Sequence, residues 1–443
     1  MFIQFKNRGK ELSELKRILK SKKFQLFILY GRRRIGKTAL ILNATKNRIY
    51  YLASRENNLE RFYNHCLKYN KDISKLKKDW EVLFDFLKDK TDVIIIDEFQ
   101  NMIHENKNIL NIFQSIVDIV LKNSKLKLFL LGSSVSIITS KVLSYKSPIY
   151  GRRSGSMNLK AISFFELSKF FPKSGIRQLI EIYGFADGIP FYLVRINDEF
   201  WKWLGNELKK ESTFLRDEID FLVKYEFDDA STYKLILEAI ANGKTKLNEI
   251  KDFIKVKRTD ITPYLKNLIE VGFIKRKVPI TENIKSRKGR YLISDNFLKF
   301  WFKYIYPNLS SIEEGIFDRN IIKKDYNSYL GNIFEEVCKQ FIISTKQFKF
   351  TKIGKWWHKD KEIDLIGLNE ETKKILFCEC KWKDKVNPKK ILNKLKEKSK
   401  FVKWHNEKRK ESYCIIARSF KSKPKLSNCL LFDLKDMSKV LRK

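Results

Sequence analysis

A chain of 443 residues is longer than one hydrophobic core usually supports, so two to four domains are expected. Hydrophobic residues make up 43% and aromatics 14%, enough to fill such cores. No run of 18 apolar residues marks a membrane span, and the opening Met1-Phe2-Ile3-Gln4-Phe5-Lys6 is too short in apolar residues to be a signal peptide. Lys and Arg number 91 against 52 Asp and Glu, a net charge of +39, which predicts attraction to nucleic acid, DNA more than RNA, rather than to a membrane. A Lys-rich proteome also raises the basic count, but in such chains Glu rises with Lys, and here it does not.

The cysteines (Cys66, Cys338, Cys378, Cys380, Cys414, Cys429) and histidines (His65, His104, His358, His405) are scattered. None form C-x-x-C pairs. A zinc ribbon or a disulfide scaffold is therefore not expected, and a reducing cytoplasm fits best.

In chain order, Phe24 to Tyr30 reads as a buried strand, Thr38 to Asn43 opens a helix, and Arg48 to Ala53, Asp92 to Asp97 and Leu126 to Leu131 read as further strands. Apolar strands separated by helical patterns predict a parallel α/β sheet. A helical stretch follows through Phe164 to Phe170, Ile176 to Phe185 and Phe200 to Lys224, interrupted at Gly188-Ile189-Pro190, and suits a lid over a ligand. Tyr233 to Ala241, Leu247 to Ile254 and Thr259 to Val271 read as three helices. They are followed by strands Phe273 to Val278 and Arg290 to Ile293 around a basic loop (Lys285, Arg287, Lys288, Arg290), the order of a winged helix. The last segment reads as a helix (Asn332 to Ile343), two strands (Glu362 to Leu368 and Lys374 to Lys381), a Lys-rich helix (Pro388 to Val402) and a strand (Tyr413 to Ala417). The expected domains are residues 1–160, 161–228, 229–310 and 325–443, with association into a homo-oligomer or with a partner protein left open.

Between the first strand and the first helix stands Gly31-Arg32-Arg33-Arg34-Ile35-Gly36-Lys37-Thr38, the pattern G-x-x-x-x-G-K-[ST] in the setting it requires. The glycines let the backbone amides face phosphates, Lys37 places a charge by the β and γ phosphates, and Thr38 offers a hydroxyl to Mg²⁺. The helix behind adds its positive end. ATP with Mg²⁺ is the expected cofactor. Asp97 and Glu98 end the strand DVIIID, where ligands meet such sheets, so Asp97 is expected at Mg²⁺ and Glu98 at the attacking water. Ser133, at the end of the fourth strand, is placed to sense the γ-phosphate, although a plain turn reads nearly as well. Arg152, beside Arg153, is a candidate source of positive charge for the transition state or part of a solvated basic loop.

The segments FILYGRRRIGKTALI, VIIIDEFQ, LFLLGSS and PIYGRRSGSMNLKAISFFEL resemble the archaeal ATPase family within the wider AAA+/STAND group of P-loop NTPases. The resemblance implies a strand inserted between the P-loop strand and the Asp-Glu strand, and a hydrolytic role for Glu98.

In the winged helix, Thr259 to Val271 would be the recognition helix, with Lys266 outward, Arg258 just before it, and Ile261, Leu265, Leu268 and Ile269 buried. The wing's cations suit phosphate contact, and a protein-contact or spacer role is the alternative.

Further on, Asp364 and Glu379 flank a short turn symmetrically, so they lie across from one another on a hairpin. Lys381 shares the face of Glu379. Two carboxylates and a lysine on one face suit Mg²⁺ and water activation for phosphodiester attack, and Glu335 on the preceding helix would complete the group. These four residues, in EIDLIGL, FCECKWK and the helix, resemble the PD-(D/E)XK nuclease superfamily. That implies a restriction-endonuclease-like α/β fold, with Asp364 and Glu379 at the metal and Glu335 and Lys381 also catalytic. The expectation is an ATPase whose nucleotide state controls a nuclease-like domain. The alternative is a nucleotide-gated switch or scaffold in which that domain is inactive and only binds protein or DNA.

Overall fold

The computed structural model describes residues 7–197, 199–227, 229–255 and 260–441. The chain forms two compact units, Met1–Ala161 with Ile189–Phe191, and Ile162–Gly188 with Tyr192–Lys443.

The first unit is built on five strands, β1 (Gln25–Tyr30), β2 (Arg48–Leu52), β3 (Val93–Asp97), β4 (Lys127–Gly132) and β5 (Gly155–Asn158). Their order is β2-β3-β4-β1-β5 and every pairing is parallel. β3 and β4 are buried along their whole length, as continuous apolar runs must be when helices cover both faces. β4 lies between β1 and β3, which is the inserted strand the family resemblance implies. In this register Tyr30 pairs with Gly132, and Leu52 with Asp97. The chain leaving β1, β3 and β4 therefore emerges on one edge of the sheet. β5 was not expected, because Gly-Ser-Met-Asn carries no apolar alternation. It fits against β1 because Gly155 is bare: a Cβ there would stand 2.9 Å from the Phe27 ring.

The second unit begins with a short 3-10 turn (Phe164–Lys169) and helix Ile176–Ala186. The predicted helix over Phe200 to Lys224 is in fact two, Phe200–Leu208 and Phe214–Glu226, the second capped by the Thr213 hydroxyl. Three helices follow, Ala230–Ala241, Leu247–Ile254 and Thr262–Val271, with an antiparallel pair β6 (Ile274–Lys277) and β7 (Arg290–Ile293). The third helix starts at Thr262, whose amide donates to Asp260 Oδ1 at 3.0 Å, rather than at Thr259. Arg258 and Thr259 lie outside the described residues. Ile261, Leu265 and Leu268 are buried, but Ile269 is 37% exposed. It follows Leu268 directly, so it turns about 100° off the narrow apolar stripe.

The rest of this unit is a 26-residue helix, Asn320–Thr345, and a sheet of β8 (Lys352–His358), β9 (Lys361–Asn369), β10 (Lys374–Lys381), β11 (Lys410–Ala417) and β12 (Cys429–Phe432), ordered β12-β11-β10-β9-β8. β8, β9 and β10 are antiparallel, whereas β10, β11 and β12 are parallel, with helix Pro388–Ser399 joining β10 to β11. β8 and β12 extend the sheet beyond the strands predicted. The wing belongs to the same body: Ile280 N donates to Lys355 O at 2.9 Å, and Trp357 Nε1 donates to Lys288 O at 3.1 Å. Segments expected as three domains therefore pack as one unit. No described helix is long and apolar enough to cross a membrane.

Candidate functional site

The loop after β1 turns on two glycines. Gly31 has φ +152° and Gly36 has φ +90°, and a Cβ on Gly31 would come 2.5 Å from Leu159 O. The loop curls around Lys37, whose Nζ donates to Gly31 O at 2.9 Å and Arg32 O at 3.1 Å. Arg34 also has a left-handed backbone, φ 68°. Its guanidinium lies 3.8 Å over the Phe191 ring, and its carbonyl accepts from Phe191 N at 3.4 Å. Arg8 is buried beneath the loop, donating to Ile35 O at 3.1 Å and pairing with Glu11 at 3.0 Å.

On the same sheet edge, Thr38 Oγ1 donates to Asp97 Oδ2 at 2.5 Å and Tyr50 OH to the same oxygen at 3.0 Å. Asp97 is 2% exposed. Burial, and then Asp97, push the Tyr50 hydroxyl well above its ordinary pKa, so it remains a donor. Glu98 sits at φ 54°, a strained position for a side-chain-bearing residue, and its amide donates to Asp97 Oδ1 at 2.8 Å. Its Oε2 accepts from Ser133 Oγ at 2.5 Å and from Gln100 Nε2, and Arg33 NH2 stands 3.8 Å away. Thus Gly31 to Thr38, Asp97, Glu98 and Ser133 converge. Ser133 holds Glu98 in place. Arg152 does not join them. It pairs with Asp118 at 2.6 Å and donates to Pro148 O at 2.7 Å, near Ser154, whose amide meets Leu26 O at the start of β1 and so at the far edge of the sheet.

Tyr50, Gln100 and Arg8 were missed from the sequence. Tyr50 had a signal, since it lies two residues before Leu52, the partner of Asp97. Arg8 and Gln100 had none that separated them from other polar residues.

In the second unit the β9-β10 ladder pairs Leu365 with Cys378, which sets Asp364 next to Glu379. Lys381 Nζ lies 2.7 Å from Glu379 Oε1 and 3.7 Å from Asp364 Oδ2. Lys398 Nζ, from helix Pro388–Ser399, also reaches Glu379 Oε1 at 2.9 Å, and Cys380 N donates to Asp364 Oδ2 at 2.8 Å. Glu379 is 6% exposed, and its Oε2 is buried with no hydrogen-bond partner. Burial, with Cys380 and Glu379 nearby, pushes the Asp364 carboxyl well up. Lys355 bridges Glu335 to Glu362, the Glu335 charge also acts on Asp364, and burial pushes the Glu335 carboxyl up as well. Among the described residues no three His, Cys, Asp or Glu side chains converge as a ready metal site.

Residues 5–196 match a family described as an ATPase domain predominantly from Archaea, and residues 301–412 match one described as archaeal and bacterial proteins of unknown function. The uncharacterized protein MJECL04 of Methanocaldococcus jannaschii is 53% identical over 443 residues, 98% of this chain and all of that protein. This chain belongs to the archaeal ATPase family. Among solved structures, the Walker-type ATPase PABY2304 of Pyrococcus abyssi is similar at TM-score 0.52 and 22% identity, over 68% of this chain and 96% of that one. The Aeropyrum pernix ORC2 protein reaches TM-score 0.45 and 16% identity over 70% and 97%. Membership and fold make the first unit an ATPase-type nucleotide-binding domain.

Proposed function

We propose that the chain is a Mg²⁺-dependent ATPase of the cytoplasm whose nucleotide state controls a nuclease-like domain acting on nucleic acid, DNA more than RNA. The Thr38–Asp97 contact beside Glu98 supports this reading most. A hydroxyl and a carboxylate 2.5 Å apart at the end of a phosphate loop are hard oxygen donors of the kind Mg²⁺ takes. Bound Mg²⁺ would offset charge on the β and γ phosphates. Lys37 and the loop amides would bind those phosphates, and Glu98, oriented by Ser133 and Gln100, would position and deprotonate water. In the second unit Asp364 and Glu379 fit a cation, the unpaired Glu379 Oε2 being the atom that lacks one. Lys381 would hold a phosphate.

The test is Glu98→Gln in the full chain. ATP turnover should fall about 10²–10⁴-fold, the range for a lost general base, while Mg-ATP still raises the melting temperature. Undiminished turnover overturns the assignment.

One observation favours the second reading, a nucleotide-gated switch with an inactive nuclease-like domain. Lys381 and Lys398 both already neutralise Glu379, and Glu335 is tied to Lys355. Absence of DNA and RNA cleavage under every nucleotide condition, with ATP turnover intact, would select it.

A further inference from the structure

A cavity of about 460 Å³ opens inside the second unit, with Glu335, Glu362 and Leu365 in its lining. Six lysines line it: Lys303 pairs with Asp325 and Lys355 with Glu335 and Glu362, and ordinary periodicity places the other four. Lys275 and Lys277 alternate along β6 and so share a face. Lys299 lies on helix Asn296–Phe300, and Lys339 on helix Asn320–Thr345, one turn beyond Glu335. All four are half-buried cavity walls. Among the described residues no carboxylate lies within 4.0 Å of any of their ammonium groups, and Lys275 Nζ donates to Ser294 O at 3.3 Å.

The acids nearby are otherwise engaged or too few. Asp187 accepts the amides of Gly188 at 2.7 Å and Asn296 at 3.0 Å. Glu335 and Glu362 are taken by Lys355, and Glu362 also by Arg290 at 3.0 Å. Among the described residues Asp187 and Glu336 are the lining acids with no ion pair, and Asp187 and Glu335 act on Lys299 only through their charge, so four ammonium groups share little acid. Burial, and then Lys275, push the Lys277 ammonium down to about 8. Desolvated like charges held together raise the free energy unless an anion joins them. Ile240, Leu292 and Ile333 also line the cavity, and the volume suits a ligand of small-molecule size.

We propose that this cavity binds a phosphorylated nucleotide, free or as the phosphate-bearing end of a nucleic-acid strand, with Lys275, Lys277, Lys299 and Lys339 receiving the phosphate and Ile240, Leu292 and Ile333 receiving the base or sugar. The site is separate from the P-loop. It also gives the basic β-hairpin a different task from the one its sequence suggests. The strand bearing Lys275 and Lys277 faces into the unit, and Arg290 is held by Glu362 and stacked 4.6 Å over Trp357.

The test uses the full chain with Lys37→Ala, which removes the P-loop as a competing site. AMP, 5′-phosphorylated hexathymidylate and its 5′-hydroxyl form are titrated calorimetrically at about 50 mM salt, where phosphate contacts are strong. A phosphorylated probe should bind, and adding Lys277→Gln with Lys299→Gln should weaken it by at least about tenfold, since each charged hydrogen bond accounts for a factor of that order. Binding of AMP assigns a free nucleotide. Binding of the phosphorylated strand without AMP assigns a strand end. The Gln pair in a chain with Lys37 intact should keep its Mg-ATP melting shift, which shows that it folds. The proposal is overturned if no phosphorylated probe binds, if the Gln pair leaves binding unchanged, or if the hydroxyl-ended strand binds as well as the phosphorylated one.

Discussion

The two carboxylate pairs, Asp97–Glu98 and Asp364–Glu379, are held in opposite ways. Asp97 is gripped by neutral donors, Thr38, Tyr50 and the Glu98 amide, and the nearest cation to Glu98 is Arg33 at 3.8 Å. Glu379 is gripped by two ammonium groups at 2.7 and 2.9 Å. Neutral donors orient a carboxylate and leave its charge in place, ready for a cation. Ammonium groups cancel that charge before a cation arrives. On the proposed function, the first site would take a metal-bound nucleotide as it stands, while the second would have to exchange a lysine for its ligand, a difference that suits a nucleotide-controlled output.

The largest expected effect tests the first half of this contrast. Lys37→Ala should abolish stabilisation by Mg-ATP, which at a hundredfold excess over Kd amounts to about 2.7 kcal/mol in the parent chain. It is read as the loss of the melting shift, and a preserved shift would break the comparison. A smaller effect tests the second half. Lys398→Met removes one of the two cations on Glu379, so Mn²⁺ affinity at Asp364 and Glu379 should rise by about tenfold in a titration on the Lys37→Ala chain, the factor that about 1.4 kcal/mol corresponds to. Unchanged affinity would mean that Lys398 does not compete for the site.

The smallest effect concerns Lys277. Its folded pKa, about 8, lies below the ordinary 10.5, so between those values the unfolded chain binds more protons and stability rises with pH. The charged groups around it are Lys275, Glu336, Lys339 and Lys299. Lys277→Met should therefore be more stable than the parent at pH 7. The margin should shrink as pH passes through 8 towards 10.5, as followed by thermal melts. A constant margin would show that the lysine is not held charged against burial.

Much of this arrangement was legible in the sequence because it is written in short-range patterns. The run before Gly31 and the strand DVIIID are continuous apolar segments ending in polar residues, so β1, β3 and the edge they share could be read directly. The winged-helix order was equally plain from Gly243, Gly272 and the spacing of Ile261, Leu265 and Leu268. β5 was not, because Gly155-Ser156-Met157-Asn158 is a strand only by virtue of Phe27 and the free edge of β1. The hold of Lys398 on Glu379 was hidden for a similar reason: one lysine in a Lys-rich helix has no local mark distinguishing it, and only the packing of that helix on β10 selects it. Arg152 illustrates the converse. Its motif pointed to the nucleotide, but the turn before β5 carries it to the other edge, onto Asp118.

The proposed link between the two sites is tested most directly by cleavage of labelled single- and double-stranded DNA by the full chain in Mg²⁺, with ATP, with ADP and with neither, alongside Glu98→Gln, which should hold the ATP-bound state. Cleavage should depend on the nucleotide, persist or stop in Glu98→Gln as it does with ATP in the parent chain, and vanish in Asp364→Asn. Cleavage that ignores the nucleotide, or survives Asp364→Asn, would contradict control of this domain by the P-loop.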